Sequence, residues 1–195
     1  MLEAADIKQA VTQWVDVRGK HMMPTASQFG AFQMRPFLPN VAVFRRLGDD
    51  NYQISLQGTA RVELFGFDAT GKDVSVVYPD AEVTGLMALF NLLFSSSYLS
   101  HSLRVYTNRT GEQFTGEQVL LPISNEDGEH DRYVFVACNI QRPKRPRSVP
   151  GKPLAIGDLK ARTIYDPRTL LPVACFATTQ RNTAMMQRAI TAACD

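Results

Sequence analysis

Apolar positions along the chain change period several times, and each change marks an element. Within residues 4–18, Ile7, Val11, Trp14 and Val15 recur at helical spacing among Asp6, Lys8 and Asp16, which predicts an amphipathic helix closed by Gly19. Residues 20–40 carry Pro24, Gly30, Pro36 and Pro39 and are expected to cross the surface with little regular structure. Two short β-like runs follow at 41–47 and 51–57, separated by Gly48-Asp49-Asp50, a hairpin signal. The pattern then returns to a helical period at Val62, Leu64 and Phe65, a short helix ended by Gly66 and the turn-forming stretch Asp68 to Gly71.

Residues 82–98 are apolar nearly all round, through Val83, Leu86, Met87, Leu89, Phe90, Leu92, Leu93 and Phe94. That composition predicts a buried helix, too short to span a bilayer. Three more β-like runs, at 102–108, 116–123 and 132–141, are separated by Asn108-Arg-Thr-Gly111 and Asn125-Glu-Asp-Gly128, turns that favour antiparallel hairpins. The expected fold is α+β, a five-stranded antiparallel sheet with helices on one face. Tyr133 to Ile140 is apolar on both alternating faces, so both sides of the sheet must be covered, and the helix at 4–18 is the natural cover for the second side.

Residues 142–153, a proline-rich run carrying Arg142, Lys144, Arg145, Arg147 and Lys152 without an acid, can be neither helix nor central strand. They are expected to mark a domain edge. The division is therefore a helix and lead-in at 1–40, a core at 41–141, a linker at 142–153 and an extension at 154–195. Within the extension, 154–176 is strand-like and irregular, and 177–194 is expected to be helical through Met185, Met186, Ala189 and Ile190.

Composition narrows the setting more than the chemistry. A hydrophobic share of 45% and a charged share of 21% are those of an average soluble globular domain, which excludes wholesale disorder. Acidic residues outnumber basic ones before the linker, which is not how a nucleic-acid groove is built, so no nucleic-acid partner is expected. The linker has no interleaved aromatic residue to stack on bases and reads as a hydrated connector. Met1-Leu-Glu-Ala-Ala-Asp lacks the basic and apolar regions of a secretory signal, and no run is long enough for a membrane span, so a cytoplasmic location is expected. Cys138, Cys175 and Cys194 lie far apart without metal-ligand spacing and are expected to be free thiols.

No nucleophile elbow, phosphate loop or metal-binding helix motif occurs, so no catalytic residue and no metal site are assigned. Glu126, Asp127, Glu129 and Asp131 cluster with His130 on an expected hairpin turn and read as a solvated tip. Cys138, in an apolar strand, reads as a protonated, inert thiol.

The order of two strands, short helices, one longer helix and three strands carries local motifs with it. These are Trp14 with Arg18-Gly19, Pro24, Leu38-Pro39, Gly58-Thr59 followed by Leu64-Phe65-Gly66, Asp68 and Thr70-Gly71, then Leu120-Leu121-Pro122 and Asp127-Gly128. On these residues, spanning about 10 to 140, the chain resembles a family of short bacterial proteins built on one PAS domain with an N-terminal helical extension. Such relatives often carry an arginine on the strand before the Gly-Thr pair; Ser55 stands there in this chain.

The resemblance implies a cavity between the sheet and the longer helix, walled by Leu56, Leu64, Phe65, Leu89, Phe90, Leu93, Tyr106 and Phe135, with Asn139 able to orient a ligand. Asn91 and Ser95 to Ser97 are further polar candidates, though the serines read more simply as a helix cap. The plainer alternative is that the aromatic residues fill the interior. The cofactor is unknown: the cysteine motif of flavin-photoadduct members is absent, and His101, placed just past the long helix, is the one candidate haem ligand. The function expected on this basis is a sensory or regulatory module that binds a small ligand or protein partner and relays a signal. It is expected to be homodimeric through the N-terminal helix, with output through a separate signalling protein. The alternatives are a small-molecule enzyme using the same cavity and a ligand-free structural adaptor.

Overall fold

A computed structural model of the chain describes residues 2–78, 80–107, 113–139 and 155–177. The expected turn at 108–111, the basic linker at 142–153 and, apart from Ala177, the expected helix at 177–194 lie outside them.

The first helix, α1 (Ala5–Arg18), buries Ile7, Ala10 and Trp14 along one stripe. A four-residue helix, α2 (Ala31–Met34), and a 3-10 turn at Leu38–Asn40 interrupt an otherwise irregular lead-in. The first hairpin is β1 (Val41–Gly48) and β2 (Asn51–Gln57). Helix α3 (Thr59–Phe65), a 3-10 turn at Val74–Val77 and the long helix α4 (Asp80–Ser96) lead into β3 (Leu99–Thr107), β4 (Gln113–Ser124) and β5 (His130–Asn139). Two further strands follow, β6 (Ala155–Tyr165) and β7 (Pro172–Ala177).

All seven strands belong to one antiparallel sheet, ordered β2-β1-β5-β4-β3-β6-β7. The five expected strands form its continuous core. The stretch at 154–176, expected to be strand-like and irregular, supplies the other two: β6 pairs with β3 along its length, so the sheet continues beyond the basic linker.

Both faces are covered, as the two-sided apolar pattern of β5 requires. On one face α4 presents Leu86, Leu89, Phe90, Leu93 and Phe94 to Ala42, Phe44, Tyr52, Ile54, Leu120, Tyr133, Phe135 and Ile164. On the other, α1 presents Ile7, Ala10 and Trp14 to Val41, Val43, Val119, Leu121, Val134 and Val136. Burying side chains of this size is worth on the order of 1.5–3 kcal/mol each. The Trp14 indole N–H also donates to the Pro122 carbonyl at 2.8 Å, where β4 has run past its last β3 partner, Leu120, and a proline costs no ladder bond on that side.

The Gly58-Thr59 pair has a steric reason. A Cβ at Gly58 would lie 2.2 Å from the Leu38 carbonyl oxygen, so only glycine lets the start of α3 approach the 3-10 turn at Leu38–Asn40. Its backbone N–H donates to Val41 O at 2.8 Å, tying the start of α3 to that of β1. Among the described residues, no helix is long and apolar enough to cross a membrane.

Candidate functional site

Where the first hairpin, α3 and β3 meet, the interior is not completely filled. Ala42 and Phe44 of β1, Ile54 and Gln57 of β2, Arg61 and Phe65 of α3, Val77 at the end of the second 3-10 turn with Tyr78 after it, and Tyr106 of β3 surround a cleft of about 10 Å³. That is room for about one water molecule. Its walls are largely apolar, and its polar groups are one amide, two phenols and one guanidinium.

Arg61 is the unusual member. It lies four residues before Phe65, so both side chains share the buried face of α3, and only 7% of Arg61 is exposed. Its guanidinium carbon sits 4.6 Å from the Phe135 ring centre and 5.1 Å from that of Phe65. No described carboxylate or hydrogen-bond acceptor meets it. Burial lowers its pKa from the usual arginine value.

Two more arginines approach the same phenols. Arg104, on β3, donates to Glu82 at 2.7 Å. Arg162, on β6 opposite Ser102, is 7% exposed with its Nε unpartnered; burial, followed by the charge of Arg104, lowers its pKa to about 10. Tyr106 is pushed up to about 12, mainly by burial, so its phenol stays neutral and offsets none of this charge. The Tyr106 ring lies flat over Gly116, where a Cβ would come within 2.6 Å of the ring, and stacks on Phe114 at 5.4 Å.

The residues expected to wall a cavity are distributed differently. Phe65 and Tyr106 line the cleft, and Leu64 packs beside them. Leu89, Phe90, Leu93 and Phe135 fill the core beneath α4 instead; Phe90 stands 5.3 Å from Phe44 and 5.1 Å from Tyr52, ring centre to ring centre. Leu56 faces the opposite side, with the α1 cluster. The cause is a β-bulge: Val43 pairs with Leu56 but Phe44 pairs with Ile54, leaving Ser55 as the extra residue, and side-chain direction flips across it. Asn139 ends β5, and its side chain lies outside the described residues.

Asn91 accepts from the Tyr52 hydroxyl and donates to Asp50 at 2.6 Å, at the rim of α4 and away from the cleft. Ser95 and Ser96 donate to Leu92 O, the capping role that was the simpler expectation, and Ser97 meets His130 at 3.1 Å.

His101 does lie just past α4, on β3, but turns away from the helix. Beneath α1 its Nε2 lies 2.8 Å from Glu117, a fully buried carboxylate that also accepts the Glu3 and Ala4 backbone N–H groups. It is therefore on the wrong face for a ligand held under α4. His130 departs from the solvated tip expected for its neighbours. Glu126, Asp127 and Glu129 are exposed, whereas the His130 ring stacks on Phe94 at 5.0 Å. Among the described residues, Cys138 and Cys175 are free, and burial pushes the Cys138 thiol up to about 12.

Arg61 and its neighbours could have been suspected from one sign, a cation at helical spacing from Phe65 on a helix otherwise apolar on that side. Ala42, Phe44, Ile54, Gln57, Val77 and Tyr78 gave no signal apart from the core they also build.

A cleft between sheet and helices, beneath a two-sided antiparallel sheet with a helical N-terminal cover, defines a PAS-type α+β module. The family model described as PAS domain matches residues 2–136, and the chain belongs to that family. Solved structures similar to it include the PAS domain of a protein from Colwellia psychrerythraea, at 12% identity over 56% of this chain and 97% of that one, TM-score 0.42. The light state of the blue-light photoreceptor Aureochrome1 LOV matches at 13% identity over 55% and 86%, TM-score 0.41. The Vibrio cholerae VqmA dimer matches at 15% identity over 59% and 52%, TM-score 0.42. No curated protein matches it.

Proposed function

We propose that the chain is a sensory or regulatory PAS module that holds a small ligand in the cleft between β1, β2, α3 and Tyr106, and passes the resulting change in packing to a separate signalling protein. The observation that carries this reading is Arg61: a buried guanidinium bordering a cleft, without an acceptor among the described residues. Leaving a buried charge unpaired is costly, so its retention suits a group that acquires its partner from outside. PAS domains are typically non-catalytic sensor modules, and no step of chemistry is assigned to the cleft.

Native mass spectrometry of the freshly purified full chain tests the proposal, combined with thermal melting against a small-molecule panel. A retained adduct, or a compound that raises the melting temperature, supports the sensor. Bare protein indifferent to the whole panel favours the second reading, a structural adaptor, for which the close packing of Phe44, Phe90 and Phe135 speaks.

A homodimer through α1 belongs to the same proposal. The stripe of Ile7, Ala10 and Trp14 is occupied by the chain's own sheet, so such a dimer would use the partly buried Val11, Val15 and Val17. Sedimentation as a monomer at micromolar concentration would remove it. A cytoplasmic setting suits the free thiols of Cys138 and Cys175.

A further inference from the structure

We propose that the cleft is selective for a small monocarboxylate with a short apolar body, its carboxylate seated on the Arg61 guanidinium and its hydrocarbon against Phe44, Ile54 and Val77. The inference rests on the ligand-binding reading above and deepens it.

Charge comes first. Arg61 and Arg162 are each 7% exposed, and neither makes an ion pair with a described residue; Arg104 is the arginine of this corner that has a carboxylate, Glu82. The acceptors close by are the phenols of Tyr78 and Tyr106, and burial pushes Tyr106 up to about 12, so that phenol brings no compensating charge. An interior corner with surplus positive charge is complementary to an anion and repels a cation.

Geometry decides which anion. Stacking between the Phe65 and Phe135 rings, at 5.1 and 4.6 Å, satisfies the faces of the Arg61 guanidinium and leaves its in-plane N–H donors without described acceptors. A planar fork of donors matches a planar carboxylate in bidentate fashion. Gln57 is already engaged on both sides, its oxygen accepting from the Ala69 N–H at 2.7 Å and its amide nitrogen donating to the Phe67 carbonyl at 3.5 Å, so it is not free to serve the extra oxygens of a phosphate. The remaining wall is hydrocarbon, which suits an apolar body and disfavours a polyanion.

Size adds a constraint. A cleft of about 10 Å³ holds one water, so a body of several carbons enters only as a wall yields. Gln57, Val77 and Tyr78 are the partly buried members of the wall, and Val77 and Tyr78 adjoin Val76, which is 47% exposed. Ligand entry is therefore expected to displace Tyr78, giving the signal a starting point at the surface.

The experiment is calorimetric titration and thermal melting of the full chain with sodium butyrate, its neutral isostere butyramide, and inorganic phosphate. Expected are saturable 1:1 binding of butyrate with a rise in melting temperature, and no such response to butyramide. Arg61→Met, which keeps the stem and removes the charge, should weaken butyrate binding about tenfold or more, the loss that follows from deleting a charge-assisted bond. Should that variant fail to fold, Arg61→Lys keeps the charge without the planar fork and is expected to bind several-fold more weakly; unchanged affinity there overturns the proposal. Equal binding of butyramide, or preference for phosphate, overturns the carboxylate assignment while leaving a ligand-binding module intact. If neither anion binds and native mass spectrometry finds only bare protein, both this inference and the ligand-binding reading fall.

Discussion

His130 is an imidazole that the fold keeps neutral. Its ring stacks on Phe94 at 5.0 Å, meets Tyr133 edge-on at 4.7 Å, and has Nε2 buried without a described partner while Nδ1 faces Ser97. Burial lowers its pKa to about 4, against the opposing backbone contacts and the charge of Asp131. A depressed histidine binds its proton more readily in the unfolded chain, so its neutral form stabilises the fold fully above about pH 6.5. That stabilisation is lost progressively as the pH falls from about 6.5 to about 4. The loss should reach on the order of 2–3 kcal/mol. Urea melts of wild type and His130→Phe at pH 7, 5.5 and 4.5 should show the variant losing less stability than wild type; parallel curves would count against the assignment. The sequence placed His130 on an exposed turn, and Glu126, Asp127 and Glu129 are indeed exposed, whereas Asp131 is half-buried and paired with Arg45 and Arg132. The ring's inward direction comes from contact with Phe94 on α4, which no local pattern encodes. Leu56 carries a similar lesson: alternation predicts its direction until the extra residue Ser55 reverses it, and a bulge leaves little mark in the apolar pattern.

At the scale of elements, α1 is held at its start and along its length by long-range polar contacts. At its start, the Glu117 carboxylate accepts the Glu3 N–H at 3.0 Å and the Ala4 N–H at 2.6 Å, and pairs with His101 at 2.8 Å. Further along, Trp14 is fully buried and bonded to Pro122. Trp14→Ala should cost about 3–5 kcal/mol, from lost burial and an unfilled cavity. Glu117→Ala would leave the His101 nitrogen and two backbone donors facing a carbonless gap under the sheet, costing about 1–3 kcal/mol. The two variants differ in kind: hydrogen exchange should show the first two turns of α1 opening locally in Glu117→Ala, with the sheet amides of β4 and β5 still protected. Uniform loss of protection in that variant would mean that α1 and the sheet unfold as one unit. The helix itself was readable from Ile7, Trp14 and their spacing. Its anchor was not, because Glu117 sits on a strand more than a hundred residues away and looks like any strand glutamate until the fold brings it beneath the helix start.

For the whole molecule, the strand pairing that matters most is the one between β3 and β6. The matched family region ends at residue 136, and the basic proline-rich run after it reads as a boundary, yet β6 pairs with β3 from Leu99–Tyr165 to Thr107–Ala155. The sequence hid this because the pairing is non-local and its register shifts on both sides of Arg104, which breaks up any alternation in β6. Without β6, β3 would be an edge strand with a row of unpaired backbone groups, and the core would lose Ile164. Arg162, the second cation near Tyr106 without an ion pair among the described residues, would leave with it. A chain ended at residue 141 is therefore expected to melt well below the full chain and to self-associate through the bared β3 edge, visible as higher-order species in size-exclusion chromatography with light scattering. A truncated protein that stays monodisperse and melts with the full chain would show that the sheet closes at β3 and that β6 and β7 are dispensable to it. A truncated protein that folds but associates would place the stabilising role of β6 in edge protection, since capping an exposed edge, unlike filling a core, is a service another copy of the same strand can supply.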